Sequence, residues 1–182
     1  MKITDSERLI LVMLSNICEK LDIRKEIDPG FVIKAICNDQ TWALKWEYQA
    51  LFDGESGSET PPIVNEVLNI LGMWDSIERA YEHLPDPEKE KLKEATKWGK
   101  EVAFGGFDGN NEARHYGTTK FIIDDLGRFS DFKGRDLNTH YPVLEIYTRM
   151  LLVFERFGGA MLGRTLNASE LQEILNGRMF SK

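Results

Sequence analysis

Glu112 and His115 stand three residues apart, a spacing that puts a carboxylate and an imidazole on one helix face. In di-iron bundles this Glu-x-x-His motif occurs twice and is joined by two more glutamates on facing helices. Here neither His83 nor His140 follows an acid at that spacing, so the residues imply no metal. Asp108 lies between a glycine pair and a predicted helix, in GGFDGNNEAR. That position predicts a helix N-cap, its carboxylate accepting from backbone N–H groups. The other chemistry open to Asp108 is general base, but no Ser, Cys or Thr nucleophile is tied to it by spacing. Gly105, Gly106 and Gly109 have neither the Walker spacing with its lysine nor a dinucleotide fingerprint after a strand, and no cofactor is implied.

Arg114 and Arg128 flank the same predicted helix, about four turns apart. The first expectation is that each pairs with a nearby acid (Asp108, Glu112, Asp124 or Asp131) and pins a loop. The alternative is that one of them reaches a cleft and holds a carboxylate or phosphate. Asp108, Glu112, Arg114, His115 and Arg128 are therefore the candidate ligand-binding residues. They would serve a small anionic-ligand binder or a hydrolase, and no catalytic residue stands out. Trp42, Trp46, Trp74 and Trp98 lack interleaved arginines and read as packing groups, not as platforms for bases.

The elements that must position these residues are helices from end to end. Thr4 to Glu7 has capping-box form and predicts a helix to about Lys20. Its stripe is Ile10, Met13, Leu14, Ile17 and Leu21; Leu9 and Val12 add a second apolar face. That pattern predicts deep burial or contact with another subunit. Asp28 and Pro29 open a short helix through Cys37, and another spans Thr41 to Phe52 with Leu44, Tyr48 and Leu51 inward. Asp53 to Glu59 is a polar loop.

The longest predicted helix starts at Pro61–Pro62. Ile63, Val67, Ile70, Trp74, Ile77, Tyr81 and Leu84 alternate spacings of four and three, as in a seam packed along another helix. Pro87 restarts a helix to about Trp98. Asp108 or Asn110 caps another helix that runs to about Leu126, where Gly127 supplies a left-handed stop, and Gly127 to Thr139 is a compact loop. A helix near Pro142 carries Val143, Tyr147, Met150, Phe154 and Phe157. Asn167 to Glu170 caps a last helix that stops at Gly177. The class is all-α, a compact bundle of about seven to eight helices in a single domain covering 1–182, without repeats.

Composition narrows the function. The 182 residues are 42% apolar and 29% charged, with a formal net charge of −7, which repels phosphate backbones. The lysines between Lys89 and Lys100 alternate with glutamates and read as a solvated face. The helix from Ile63 has no arginine or lysine before Arg79, which argues against a helix-turn-helix regulator and against nucleic acid as a partner. Leu9 to Leu14 is too short for a signal peptide core or a membrane span. Cys18 and Cys37 sit in apolar surroundings and read as buried thiols of a reducing compartment, so the expected location is cytoplasmic.

The block FGGFDGNNEARHYGTTKFIIDDLGRF resembles the centre of the YfbU-like bacterial proteins. SERLIL at Ser6 to Leu11, MWDSIERAYEHL at the end of the long helix and YTRML at Tyr147 to Leu151 reinforce it, in the right order over most of the chain. The resemblance implies a small, cytoplasmic, all-helical protein that self-associates, and it brings no settled chemistry. This chain has His115 where the family pattern favours tyrosine, which weakens an acid–base role there. Its segment from Asp53 to Thr60 is longer than the usual linker. The leading expectation is a non-enzymatic, homo-oligomeric interaction or scaffold protein whose protein partner the sequence does not name.

Overall fold

A computed structural model of the protein describes residues 3–23, 26–52, 60–96, 102–161 and 163–177. The polar loop at 53–59 and Trp98 lie outside the described residues. The fold is all-α, with eight α-helices among the described residues and one isolated backbone bridge between Phe107 and Asn138. No described helix is long and apolar enough to cross a membrane. The chain divides into two compact units, Met1–Pro62 and Ile63–Lys182.

The first unit holds α1 (Asp5–Lys20), α2 (Pro29–Cys37) and α3 (Trp42–Glu47). The Thr4 capping box forms as its sequence requires, with the Glu7 amide on Thr4 Oγ1 and the Glu7 carboxylate on the Thr4 amide. Asp28 accepts from the Gly30 amide, with Pro29 in the first turn of α2. Ala35, Ile36, Trp42, Ala43 and Leu44 form the core of the unit. Trp42 donates its indole N–H to Gln40 Oε1 at 2.7 Å, which satisfies a buried polar atom on each side. Leu51, expected to point inward, is exposed, because the chain breaks after α3 into a 3-10 turn at Gln49–Leu51 and the helical period no longer holds.

The stripe of α1 is not buried within the chain, the first of the two outcomes its pattern predicts. Ser15 is its one buried residue, and Arg8 on the same face reaches the Ile36 carbonyl at 3.2 Å and Asp39 at 2.7 Å. Arg8, Leu11, Ser15 and Cys18 recur at helical spacing, so the polar-flecked face meets α2. Leu9, Ile10, Met13, Leu14, Ile17 and Leu21 face outward, between 51% and 65% exposed. Cys37 is exposed and Cys18 half-buried, both as free thiols, which corrects the expectation of two buried cysteines.

The second unit is built on α4 (Pro62–His83), 22 residues and about 33 Å long. Val67, Ile70, Trp74 and Ile77 of its predicted seam are fully buried, and Val64, Leu71, Met73 and Ala80 bury a further flank. The middle of the seam is thus consumed by core packing, while Ile63, Tyr81 and Leu84 toward its ends are half-buried. Then come α5 (Asp86–Thr96), α6 (Ala113–Lys120), α7 (Leu144–Arg156) and α8 (Ala168–Asn176). Val143, Tyr147, Met150 and Phe154 are buried along α7, as their spacing predicts. Asn167 and Glu170 close the capping box of α8.

After α6 the chain widens into a π-helical turn at Phe121–Asp125, where the Leu126 amide reaches back to the Phe121 carbonyl at 3.0 Å. Gly127 then takes φ +63° and Arg128 N–H bonds the Ile122 carbonyl at 3.0 Å, a Schellman-type stop widened by that turn.

Candidate functional site

The block from Phe104 to Leu144 is organised by one close backbone approach. Phe107 donates to the Leu137 carbonyl at 3.0 Å and accepts from the Thr139 amide at 3.2 Å. Gly106 precedes it at φ +86°, and a Cβ there would overlap the Leu137 carbonyl. Only glycine fits, because both the left-handed backbone and the space demand it. Phe107 is thereby driven into an aromatic cluster, 6.0 Å from Phe104 and 5.6 Å from Tyr147 between ring centres. The Tyr147 hydroxyl is buried, which pushes its pKa up, and a hydrogen bond with the Gly105 backbone pulls the other way.

Asp108 is fully buried, yet it does not cap α6. Its carboxylate accepts from the Asn110 amide at 2.9 Å and from Asn111 Nδ2 at 2.5 Å, closing the turn before the helix. The Asn111 side chain and then the Asn110 amide hold the carboxyl below its ordinary pKa. A carboxylate so held is a weak base. The expected N-cap fails because the chain needs Asn111 and Glu112 to complete that turn, and α6 begins only at Ala113.

Glu112 joins three segments. Its Oε2 accepts from the Asp108 amide at 3.0 Å, and its Oε1 accepts from Val143 and Leu144 at 2.8 and 2.6 Å. The last two are the opening amides of α7, whose N-cap position carries valine and no capping side chain of its own. Glu112 therefore caps a helix 31 residues downstream, and its charge lies at the positive end of that helix. Asn138 does the matching work for the other loop, its Oδ1 accepting from Gly109 and His140, both at 3.0 Å.

His115 turns away from Glu112. Its Nε2 lies 2.9 Å from Glu66 on α4, and its ring rests 5.4 Å from Phe107. The Glu-x-x-His pair is thus divided between two structural jobs. Among the described residues no group of three or more His, Cys, Asp or Glu could hold a metal ion. Arg114 is exposed and pairs with no acid among the described residues, against expectation. The acids offered to it are engaged elsewhere, Asp124 with Lys120 at 3.5 Å and Asp131 with Arg79 at 3.6 Å. Arg128 is exposed at the end of the π-turn. Asp108 and Glu112 come together, while His115 is drawn to Glu66 and Arg114 stands apart from both acids.

The strongest ion pair in this region involves two residues that the sequence did not single out. Arg135 clasps Glu78 of α4 in a bidentate pair, both bonds 2.8 Å, and Glu78 also accepts from the Phe104 amide at 2.6 Å. Glu78 directly follows buried Ile77 and precedes exposed Arg79, but Glu66, Asp75 and Glu82 adjoin the same seam, so the sequence did not set it apart.

A family model described as the YfbU domain matches residues 1–177. Among curated relatives, the UPF0304 protein MJECS11 of Methanocaldococcus jannaschii is 28% identical over 179 residues. The match spans 93% of this chain and 96% of that protein. The likeness runs through both compact units, so the outward face of α1 and the Glu112 junction lie within the matched region.

Proposed function

This chain belongs to the YfbU family, and we propose that it is a non-enzymatic interaction protein of the cytoplasm that works by associating with itself. The observation that carries the reading is the outward apolar face of α1, where Leu9, Ile10, Met13, Ile17 and Leu21 are each more than half exposed. Soluble monomers seldom leave a contiguous patch of this kind open to water. The polar residues of the 105–128 block support the same reading from the other side. Asp108 and Glu112 spend their acceptors on backbone amides, and His115 is committed to Glu66. A free thiol at exposed Cys37 agrees with a reducing compartment.

Light scattering behind size exclusion tests it on the full chain. The expected mass is at least twice the 20.9 kDa of one chain at micromolar concentration. A single-chain mass across the micromolar range refutes the reading.

A further inference from the structure

We infer that a second copy of this chain docks antiparallel along the outward face of α1, forming a closed two-fold pair; this rests on the self-association reading above. The area is the first argument. Leu9, Ile10, Met13, Leu14, Ile17 and Leu21 are 51–65% exposed, and Ile23 and Ile27 just beyond them 47% and 45%. At about 100 Å² for each such half-exposed side chain, the patch offers roughly 800 Å², the share that one partner gives to a standard-size interface.

The spacing is the second argument. Ile10, Leu14, Ile17 and Leu21 follow a four-three-four pattern, the seam of a helix lying along another at a shallow angle. Among the described residues no second apolar helix of the first unit has an equivalent open seam, since α2 buries Phe31, Val32, Ala35 and Ile36 internally. The matching element is α1 of another copy. An interface made by one patch on both partners is self-complementary and closes at two.

Charge sets the direction. Asp5 and Glu7 occupy the first turn of α1 and Lys20 the last. Parallel pairing would set acid beside acid at one end and align two macrodipoles. Antiparallel pairing with the two-fold axis near Met13 places Ile10 opposite Ile17 of the second copy and brings Asp5 beside Lys20 of the second copy. The face also continues, through Leu14, into an apolar groove of about 510 Å³ between α1 and the segment leading into α2. Leu11, Cys18, Ile23, Ile27 and Val32 line that groove, which can receive side chains from the flank of the incoming helix.

The test uses the full chain with two single substitutions in parallel. Met13→Glu puts a charge at the two-fold, and the expected result is loss of the dimer mass at concentrations where the wild type is dimeric, with unchanged helical circular dichroism. Met13→Cys is expected to give a covalent dimer under mild oxidation, linked at residue 13 by peptide mapping, with the wild-type chain controlling for Cys18 and Cys37. Ser6→Cys is expected not to cross-link to itself, because antiparallel pairing holds the two copies of residue 6 roughly 20 Å apart. A Met13→Glu chain that keeps the wild-type dimer mass overturns the inference and leaves self-association through another surface. Ready self-linkage at residue 6 also overturns it, by showing parallel helices. A monomeric wild type removes the broader reading as well. Should Met13→Glu lose its helical signal, the two cysteine variants decide the question.

Discussion

Glu112→Gln separates architecture from ligand binding in the central block. Glu112 accepts three backbone hydrogen bonds, one from Asp108 and two from the first amides of α7. A hydrogen bond to a charged group contributes about 1.5–3 kcal/mol net, and a buried amide left without a partner costs a comparable amount. Glutamine keeps the oxygen that serves Val143 and Leu144 but turns an NH₂ toward the Asp108 amide, which is itself a donor. One bond becomes a donor–donor contact, and the charge at the start of α7 is lost, worth a further ~0.3–1 kcal/mol. The expected destabilisation is therefore about 2–4 kcal/mol. For a chain of this size each kcal/mol lowers the melting temperature by roughly 2–4 °C. Thermal unfolding followed by circular dichroism should show Glu112→Gln melting about 4–16 °C below the wild type, and Glu112→Ala at least as low. A side chain held ready for a ligand would behave differently, since its removal leaves stability unchanged or raised. Wild-type melting in both variants would refute the structural assignment and make the block a binding site.

Gly106→Ala should destabilise by about 3 kcal/mol or more, read from denaturant midpoints, because the new Cβ strikes the Leu137 carbonyl at a left-handed position. Arg135→Ala should cost about 1–4 kcal/mol in the same measurement, since it strands Glu78 in a half-buried site, whereas Arg114→Ala should stay within about 0.5 kcal/mol. Glu170 is pulled down to about 2, first by Arg164 and then by the Asn167 amide. A carboxyl whose folded pKa lies below its unfolded value of about 4.3 stabilises above that value and loses the contribution as pH falls toward the folded pKa. Melting temperatures of wild type and Glu170→Gln should accordingly differ at pH 7 and converge between about pH 5 and pH 2.

What could be read in the sequence follows the range of the interactions involved. The caps at Thr4, Asp28 and Asn167, the stop at Gly127 and the stripe of α7 are all local, each decided by residues within one or two turns. They appear where the residue types place them. The site residues are different, because their partners lie far along the chain. Glu112 reaches residues 143 and 144, His115 reaches Glu66, and Arg135 reaches Glu78. Charge type alone could not choose among so many acids, and the nearest ones in sequence were the wrong choice for Arg114. Asp108 shows a subtler failure. Its spacing suits an N-cap, but Asn110 and Asn111 compete for the same carboxylate and win by forming a tighter turn.

The contrast between α1 and α4 shows why periodicity says that a face will be covered without saying by what. Both helices carry apolar residues at spacings of three and four. In α4 the residues flanking the seam are apolar as well, Val64, Leu71, Met73 and Ala80 among them, so several neighbours can surround the helix and the whole cylinder sinks into the core. In α1 the face opposite the stripe carries Arg8 and Ser15, and Arg8 makes specific bonds to the Ile36 carbonyl and to Asp39. Those bonds fix the rotation of α1 about its own axis, because a guanidinium turned outward would leave both partners behind. Once Arg8 and Ser15 face α2, a 3.6-residue period leaves Ile10, Met13 and Ile17 no course but outward. A polar residue with a committed partner on one face thus decides the fate of the apolar face behind it, and in α1 it leaves that face exposed.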